Sequence, residues 1–153
     1  AQRSGHILTL SAAAAIANYP GFGIYGASKA ALEALHESLA AELRPHGVKV
    51  SLIQPGPFRT AFISRGMESA EATPDYEATS GRFAGYLQKI DGSQPGDPEL
   101  AAEIIVRMVR SDRAPLRLPL GRYALKKTRD VLTARLRELE AWEPEAAAAD
   151  RPA

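Results

Sequence analysis

Tyr25, Lys29 and Ser11 are the residues whose types and spacing could transfer a proton to or from an oxygen. In a helix, Tyr-x-x-x-Lys stacks a phenol and an ammonium on one face. A free phenol titrates at about 10, too high to exchange protons well at neutral pH, but an ammonium one turn away favours the phenolate and pulls that value down. Tyr25 so placed is a usable general acid/base. A neighbouring serine hydroxyl would hold a carbonyl or alcohol oxygen. The same letters also contain Gly21, Gly23 and Gly26 as G-x-G-x-x-G, a spacing that lets backbone approach a pyrophosphate at a helix N-terminus. The two signals belong to different halves of an enzyme.

The elements that must position these residues decide between the signals. His6 to Leu10 is short and apolar, as strands buried on both faces of a parallel sheet are. A small-residue loop from Ala12 to Gly21 follows, then a helix from about Gly23 to Arg44, rich in Ala, Leu and Glu and stopped by Pro45 and Gly47. Val48 to Gln54 is a second strand, ended by Pro55-Gly56-Pro57. Strand, long helix, strand in this spacing is a parallel β-α-β unit with a right-handed crossover, which makes the fold α/β.

A dinucleotide fingerprint needs its first glycine directly after a strand and an acidic residue at the end of the next. Here a loop separates Ser11 from Gly21, and the second strand ends in Gln54 and Pro55. The glycines are therefore read as a turn leading into a helix. The Tyr25 signal gains from its setting. Ser11 at a strand end, Tyr25 at a helix start and the Pro55 loop all face the carboxyl edge of the sheet, where open α/β folds bind ligands. With a bound nicotinamide to supply or remove hydride, that constellation describes carbonyl–alcohol redox.

Farther on, Thr60 to Ile90 is weakly periodic and is read as one or two helices around a mobile segment. Asp97-Pro98 is an N-cap and first-turn proline that opens a helix to about Val109, with Leu100, Ile104, Ile105 and Met108 on one stripe. PLRLPLG alternates as an edge strand or extended segment, and a last helix runs from about Tyr123 to Trp142. Beyond Pro144 the Ala-rich letters are expected to fray.

GHILTLS, YPGFGIYGASKAALEAL and VKVSLIQPGPFRT, with GDPELAAEIIVRMV and LRLPLG after them, resemble the short-chain dehydrogenases/reductases over nearly the whole chain. The resemblance implies a Rossmann-like parallel sheet with flanking helices, of which this chain is the C-terminal half of the doubly wound fold. Residues 1–143 would be part of a single domain and 144–153 a disordered tail. It implies NAD or NADP as cofactor, Tyr25 as catalytic acid/base, and Lys29 binding the nicotinamide ribose while tuning Tyr25. It further implies that Pro55, Gly56, Phe58 and Thr60 hold the nicotinamide end and that a variable loop, here Phe62 to Leu87, covers substrate. Two departures stand out. The family's catalytic serine aligns with Ala12, leaving Ser11 one place early on a strand whose side chains alternate, and Ser28 is turned about 100° from Lys29. The family's phosphate-binding glycine loop and catalytic asparagine have no counterpart in these letters, so the chain alone is expected to be inactive.

Composition bounds the partners. Nineteen basic and 18 acidic residues are mixed along the chain for a net charge of +1, which implies no broad attraction to nucleic acid. The basic run Lys126, Lys127, Arg129, Arg135 and Arg137 lacks interleaved aromatics and is read as a solvated helix face. His6, His36 and His46 have no metal-site spacing. No apolar run approaches the length of about 18 residues that spans a membrane, and the absence of cysteine fits a reducing compartment, so a cytoplasmic protein is expected. Glu33, Glu37 and Glu42 are read as a solvated face of the long helix. Leu32, Leu35, Leu39 and Leu43 give that helix apolar surface for core packing and, with the family's habit, for a homo-oligomer contact. The substrate is expected to be an apolar alcohol or ketone, lined by Phe62, Ile63, Phe83 and Leu87. The competing reading is a non-catalytic α/β module, or a degenerate relative used in assembly or binding.

Overall fold

The computed structural model describes residues 3–70 and 73–150. Three strands, β1 (Gly5–Leu10), β2 (Val48–Pro55) and β3 (Arg117–Leu120), form one parallel sheet in that order. Helix α1 (Gly23–Leu43) connects β1 to β2; α2 (Phe62–Arg65), α3 (Arg82–Ile90) and α4 (Pro98–Val109) lie between β2 and β3. Helix α5 (Arg122–Ala147) follows β3. Parallel neighbours joined by helices are the α/β architecture expected from the β-α-β spacing. Among the described residues, no helix is long and apolar enough to cross a membrane.

Strand β2 is the centre of the molecule, with Val50 to Gln54 all buried. Ile53 packs with Met108 of α4 and Leu120 of β3, and Phe58, Ala101, Ile105, Ala114 and Leu118 close around them. The stripe of α4 that reaches this core is Ala101, Ile105 and Met108, the i, i+4, i+7 row of one helix face. Leu100 and Ile104, expected on the same stripe, are exposed one position round the helix. The N-terminal cap is as read: Asp97 Oδ1 accepts from the amides of Glu99 and Leu100 at 2.8 and 3.3 Å, with Pro98 in the first turn.

Helix α1 runs into a 3₁₀ turn at Arg44–His46 and stops at Gly47, whose φ of 69° is the left-handed conformation a glycine cap supplies. The weakly periodic region resolves into α2, a 3₁₀ turn at Pro74–Tyr76 and a π-type turn at Glu77–Gly81 that leads into α3. Residues 71 and 72 of the expected covering loop lie outside the described residues. Helix α5 is longer than its sequence reading and passes through Pro144, with Ala148 N–H bonded to Pro144 O at 3.3 Å. Proline removes one helical N–H, and at this exposed end water can satisfy the freed carbonyl. Residues 144–147, expected to fray, are thus helical, and 151–153 lie outside the described residues.

Candidate active site

The site forms where β1, β2 and β3 end and α1 begins. Strand β1 continues its ladder one residue past Leu10 through Ser11 N–H to Ile53 O at 2.7 Å. The chain then turns through Ala13–Ala15, with Ala13 and Ala14 buried, to Tyr19 and enters α1 at Gly23. Gly21 holds a φ of 82°, and Gly26 is buried in α1 where a Cβ would overlap the Asn18 amide. The glycines serve backbone geometry, as their distance from a strand end implied.

Tyr25 and Lys29 emerge on one face of α1. Lys29 Nζ lies 5.9 Å from the centre of the Tyr25 ring and donates to the Leu10 carbonyl at 2.9 Å. The lysine is thereby tied to the end of β1. The Tyr25 ring is half-buried against Phe22 and Phe62, with centroids at 5.2 and 5.6 Å. Burial pushes its phenol above the ordinary value. The sequence expectation ran the other way, from the charge of Lys29. Removal of the phenolate from water is the larger effect at this site, so Tyr25 holds its proton.

Ser11 borders the cavity, but its hydroxyl is engaged by α1. Its Oγ donates to Glu33 Oε1 at 2.6 Å, and the residue is buried. The cause is strand alternation. With the ladder unbroken through Ser11, its side chain takes the face opposite Leu10. The Ser11 proton, expected to bind the substrate oxygen, is committed to Glu33 in this structure, and Ala12 at the next position offers only a methyl. Ser28 is no substitute, since its Oγ donates to Tyr25 O at 2.7 Å.

Glu33, read from sequence as solvated, is 8% exposed and gathers three elements. Oε1 accepts from Ser11 and from Gln54 Nε2 at 2.7 Å, and Oε2 pairs with Arg117 Nε at 3.1 Å. Arg117 extends the network to Glu37 Oε2 at 2.7 Å, and its guanidinium is held more firmly charged chiefly by that contact. A polar Gln54 at the end of a buried strand and an arginine on β3 were the available sequence signals. Both need a buried partner.

Pro55, Gly56, Pro57 and Phe58 leave β2 along the cavity floor, and Thr60 stands at its rim. Gly56 N–H donates to Leu120 O at 3.0 Å, Arg59 N–H to Gly96 O at 2.8 Å and Gly96 N–H to Pro57 O at 3.1 Å. A Cβ at Gly96 would stand 2.7 Å from the Phe58 ring and 2.8 Å from Pro57 O. Gly96→Ala is therefore expected to cost about 1–3 kcal/mol by forcing this loop apart; urea unfolding would measure it, and an unchanged midpoint would contradict the close approach. Thr60 Oγ1 accepts from Phe62 N–H at 3.3 Å, starting α2.

These groups surround a cavity of about 530 Å³. Every aromatic residue of the chain except Tyr76 and Trp142 borders it. Ile63 and Leu87 join them, so the apolar lining expected from Phe62, Ile63, Phe83 and Leu87 is assembled. Gln94 Oε1, at the α4 side, is buried with no hydrogen-bond partner among the described residues. Tyr19 and Tyr123 bring their hydroxyls to 2.8 Å of each other. Lys127 of α5, read as a solvated residue, instead places Nζ 3.0 Å over the Tyr19 ring, where burial lowers its pKa to about 8. A nicotinamide and its ribose fit the residues present: the Lys29 ammonium is a donor at the rim, and the Gly56 loop leaves the backbone close to the floor. Among the described residues, the single Gly121, at a φ of 88°, joins β3 to α5, and no G-x-G-x-x-G follows a strand directly to cradle the pyrophosphate.

Fold and site together define an open parallel α/β sheet with its ligand cavity at the carboxyl edge. Residues 1–70 match the family model for short chain dehydrogenases. The chain is 36% identical to a short-chain dehydrogenase of known structure from Streptomyces avermitilis, with a TM-score of 0.84 over 97% of this chain and 54% of that one. It is 32% identical to the oxidoreductase BOA17 of Botryotinia fuckeliana, over 87% of this chain and 50% of the relative. It is 36% identical to human 17-beta-hydroxysteroid dehydrogenase type 1, over 80% of this chain and 41% of that protein. The chain belongs to the short-chain dehydrogenase/reductase family and spans about half the length of these curated relatives.

Proposed function

We propose that this chain carries the proton-transfer and substrate-binding part of an NAD(P)-dependent oxidoreductase that interconverts an apolar alcohol and its ketone. The observation that carries this reading is the Tyr25–Lys29 pair opening onto an aromatic cavity at the carboxyl edge of the sheet. When bound, the nicotinamide supplies or accepts the hydride. In reduction, Tyr25 Oη–H hydrogen-bonds to the carbonyl oxygen and gives it the proton as the C–H bond forms; in oxidation the phenolate takes the proton back. Lys29 would stabilise the phenolate by charge and could donate to the ribose, while Pro55, Gly56, Phe58 and Thr60 would hold the nicotinamide end. The apolar lining excludes water and selects a hydrophobic substrate, in keeping with the relative named for hydroxysteroids.

One observation favours a second reading, a binding or assembly module of the same fold. The Ser11 hydroxyl is committed to Glu33 and Ala12 has none, so Tyr25 alone would polarise the substrate oxygen. We further read the protein as cytoplasmic, on its lack of cysteine, and as a homo-oligomer through α1, where Ile24 and Leu35 are 89% and 66% exposed. The test is to mix the protein bearing this chain with NADH or NADPH and a bicyclic ketone such as tetralone. Loss of nicotinamide absorbance in step with alcohol formation is the expected result. Cofactor and ketone binding without any hydride transfer would support the module instead.

A further inference from the structure

We propose that the Tyr19–Tyr123 hydroxyl pair recognises a second oxygen on a flat, ring-containing ketone or alcohol whose first oxygen reacts at Tyr25. The inference rests on the reading of Tyr25 as the acid/base and names the class of substrate that site takes.

The argument begins with a count of protons. Two phenols 2.8 Å apart carry two O–H groups, and their mutual bond uses one. The other has no acceptor among the described side chains at that point, and both rings border the cavity that holds Tyr25. Burial and the neighbouring Tyr123 push Tyr19 ionisation well above the ordinary phenol value, which holds the proton on Tyr19 and preserves the hydroxyl pair. It therefore offers a ligand one free donor.

The pair is also fixed in place. Phe83 stacks on the Tyr19 ring with centroids 4.7 Å apart and planes 9° from parallel. Lys127 Nζ, 3.0 Å from the same ring centre, must take the other face, because the stacked ring fills the first. A clamped ring aims its hydroxyl without further ordering cost when a ligand arrives. Between this donor and Tyr25 stands Phe22, edge-on to Tyr19 at 6.0 Å and to Tyr25 at 5.2 Å. A wall of ring faces and edges favours an aromatic or fused-ring body over a flexible chain. A ligand with only one oxygen would leave the hydroxyl pair to water.

Binding of two probes to the protein bearing this chain, with no nicotinamide added, tests this without any hydride transfer: tetralone, and its phenolic derivative hydroxylated on the far ring, each titrated by ligand-detected NMR. The parent is expected to bind the phenolic ketone about five- to tenfold more tightly, the worth of about one hydrogen bond. Tyr123→Phe, a change at a part-exposed ring, is expected to erase that preference, read as the ratio of the two affinities within the variant. Tyr19→Phe, which keeps the stacked ring, should do the same. Equal affinities in the parent, a preference that survives both variants, or no binding of either probe would overturn the inference. The rate of Tyr25→Phe reads the proposed chemistry separately, so the two can fail apart.

Discussion

Replacing Glu33 with alanine is expected to destabilise the folded chain by about 2–6 kcal/mol, about 1–3 kcal/mol for each of the two buried groups, the Ser11 hydroxyl and the Gln54 amide, that it leaves unsatisfied. The size follows from what would be stranded. Arg117 loses its Nε partner, Gln54 at 1% exposure keeps an amide with no acceptor, and the buried Ser11 hydroxyl loses its own. Each unsatisfied buried group adds its desolvation cost, and water has little access to repair it. Glu33→Gln preserves an acceptor for Ser11 and Gln54 while removing the charge opposite Arg117, and is expected to cost about 1–2 kcal/mol. Urea unfolding followed by circular dichroism measures both. An alanine variant within about 1 kcal/mol of the parent would show that the network contributes little. The effect would reach the site as well, because Ser11 adjoins the Leu10 carbonyl that anchors Lys29.

Periodicity and punctuation made much of this architecture legible. The β-α-β spacing, the proline–glycine stop after β2 and the Asp97 cap needed no tertiary knowledge, since each is a local preference that the fold obeys. The Tyr25–Lys29 face was equally local, a matter of helical pitch. The direction of the Tyr25 shift was not. It depends on Phe22 and Phe62, one of them far along the chain, which bury the ring beyond what a single neighbouring charge offsets. Glu33 was misread for the same reason: on a helix wheel it is an ordinary glutamate, and only Ser11, Gln54 and Arg117 from three separate segments explain its burial. The Tyr19–Tyr123 pair spans most of the chain and has no local signature. The extra turns of α5 past Pro144 reflect an exposed end where losing one hydrogen bond is inexpensive.

Tyr25→Phe is expected to lower the rate of hydride transfer by about 10²–10⁴-fold, the usual contribution of a positioned acid/base. The ring would remain packed on Phe22 and Phe62, so the fold and the apolar cavity should be unaffected. Only the proton is removed. Because Ser11 and Ala12 provide no competing hydroxyl, little should remain to polarise the substrate oxygen. The pH dependence has a definite sign. With its pKa raised by burial, the phenol stays protonated through neutral pH, so carbonyl reduction should hold until the pH climbs past the ordinary phenol value of about 10 and then fall as the acid form is lost.

Single-turnover reduction of a bicyclic ketone by the protein bearing this chain, parent beside Tyr25→Phe, tests the proton-donor role most directly when ketone and nicotinamide occupancies are matched by separate titration. The expected result is a rate at least about a hundredfold lower in the variant, with the alkaline limb of the parent's pH profile gone. Equal rates at equal occupancy would mean that the proton comes from elsewhere and that Tyr25 is only a packing residue in the cavity wall.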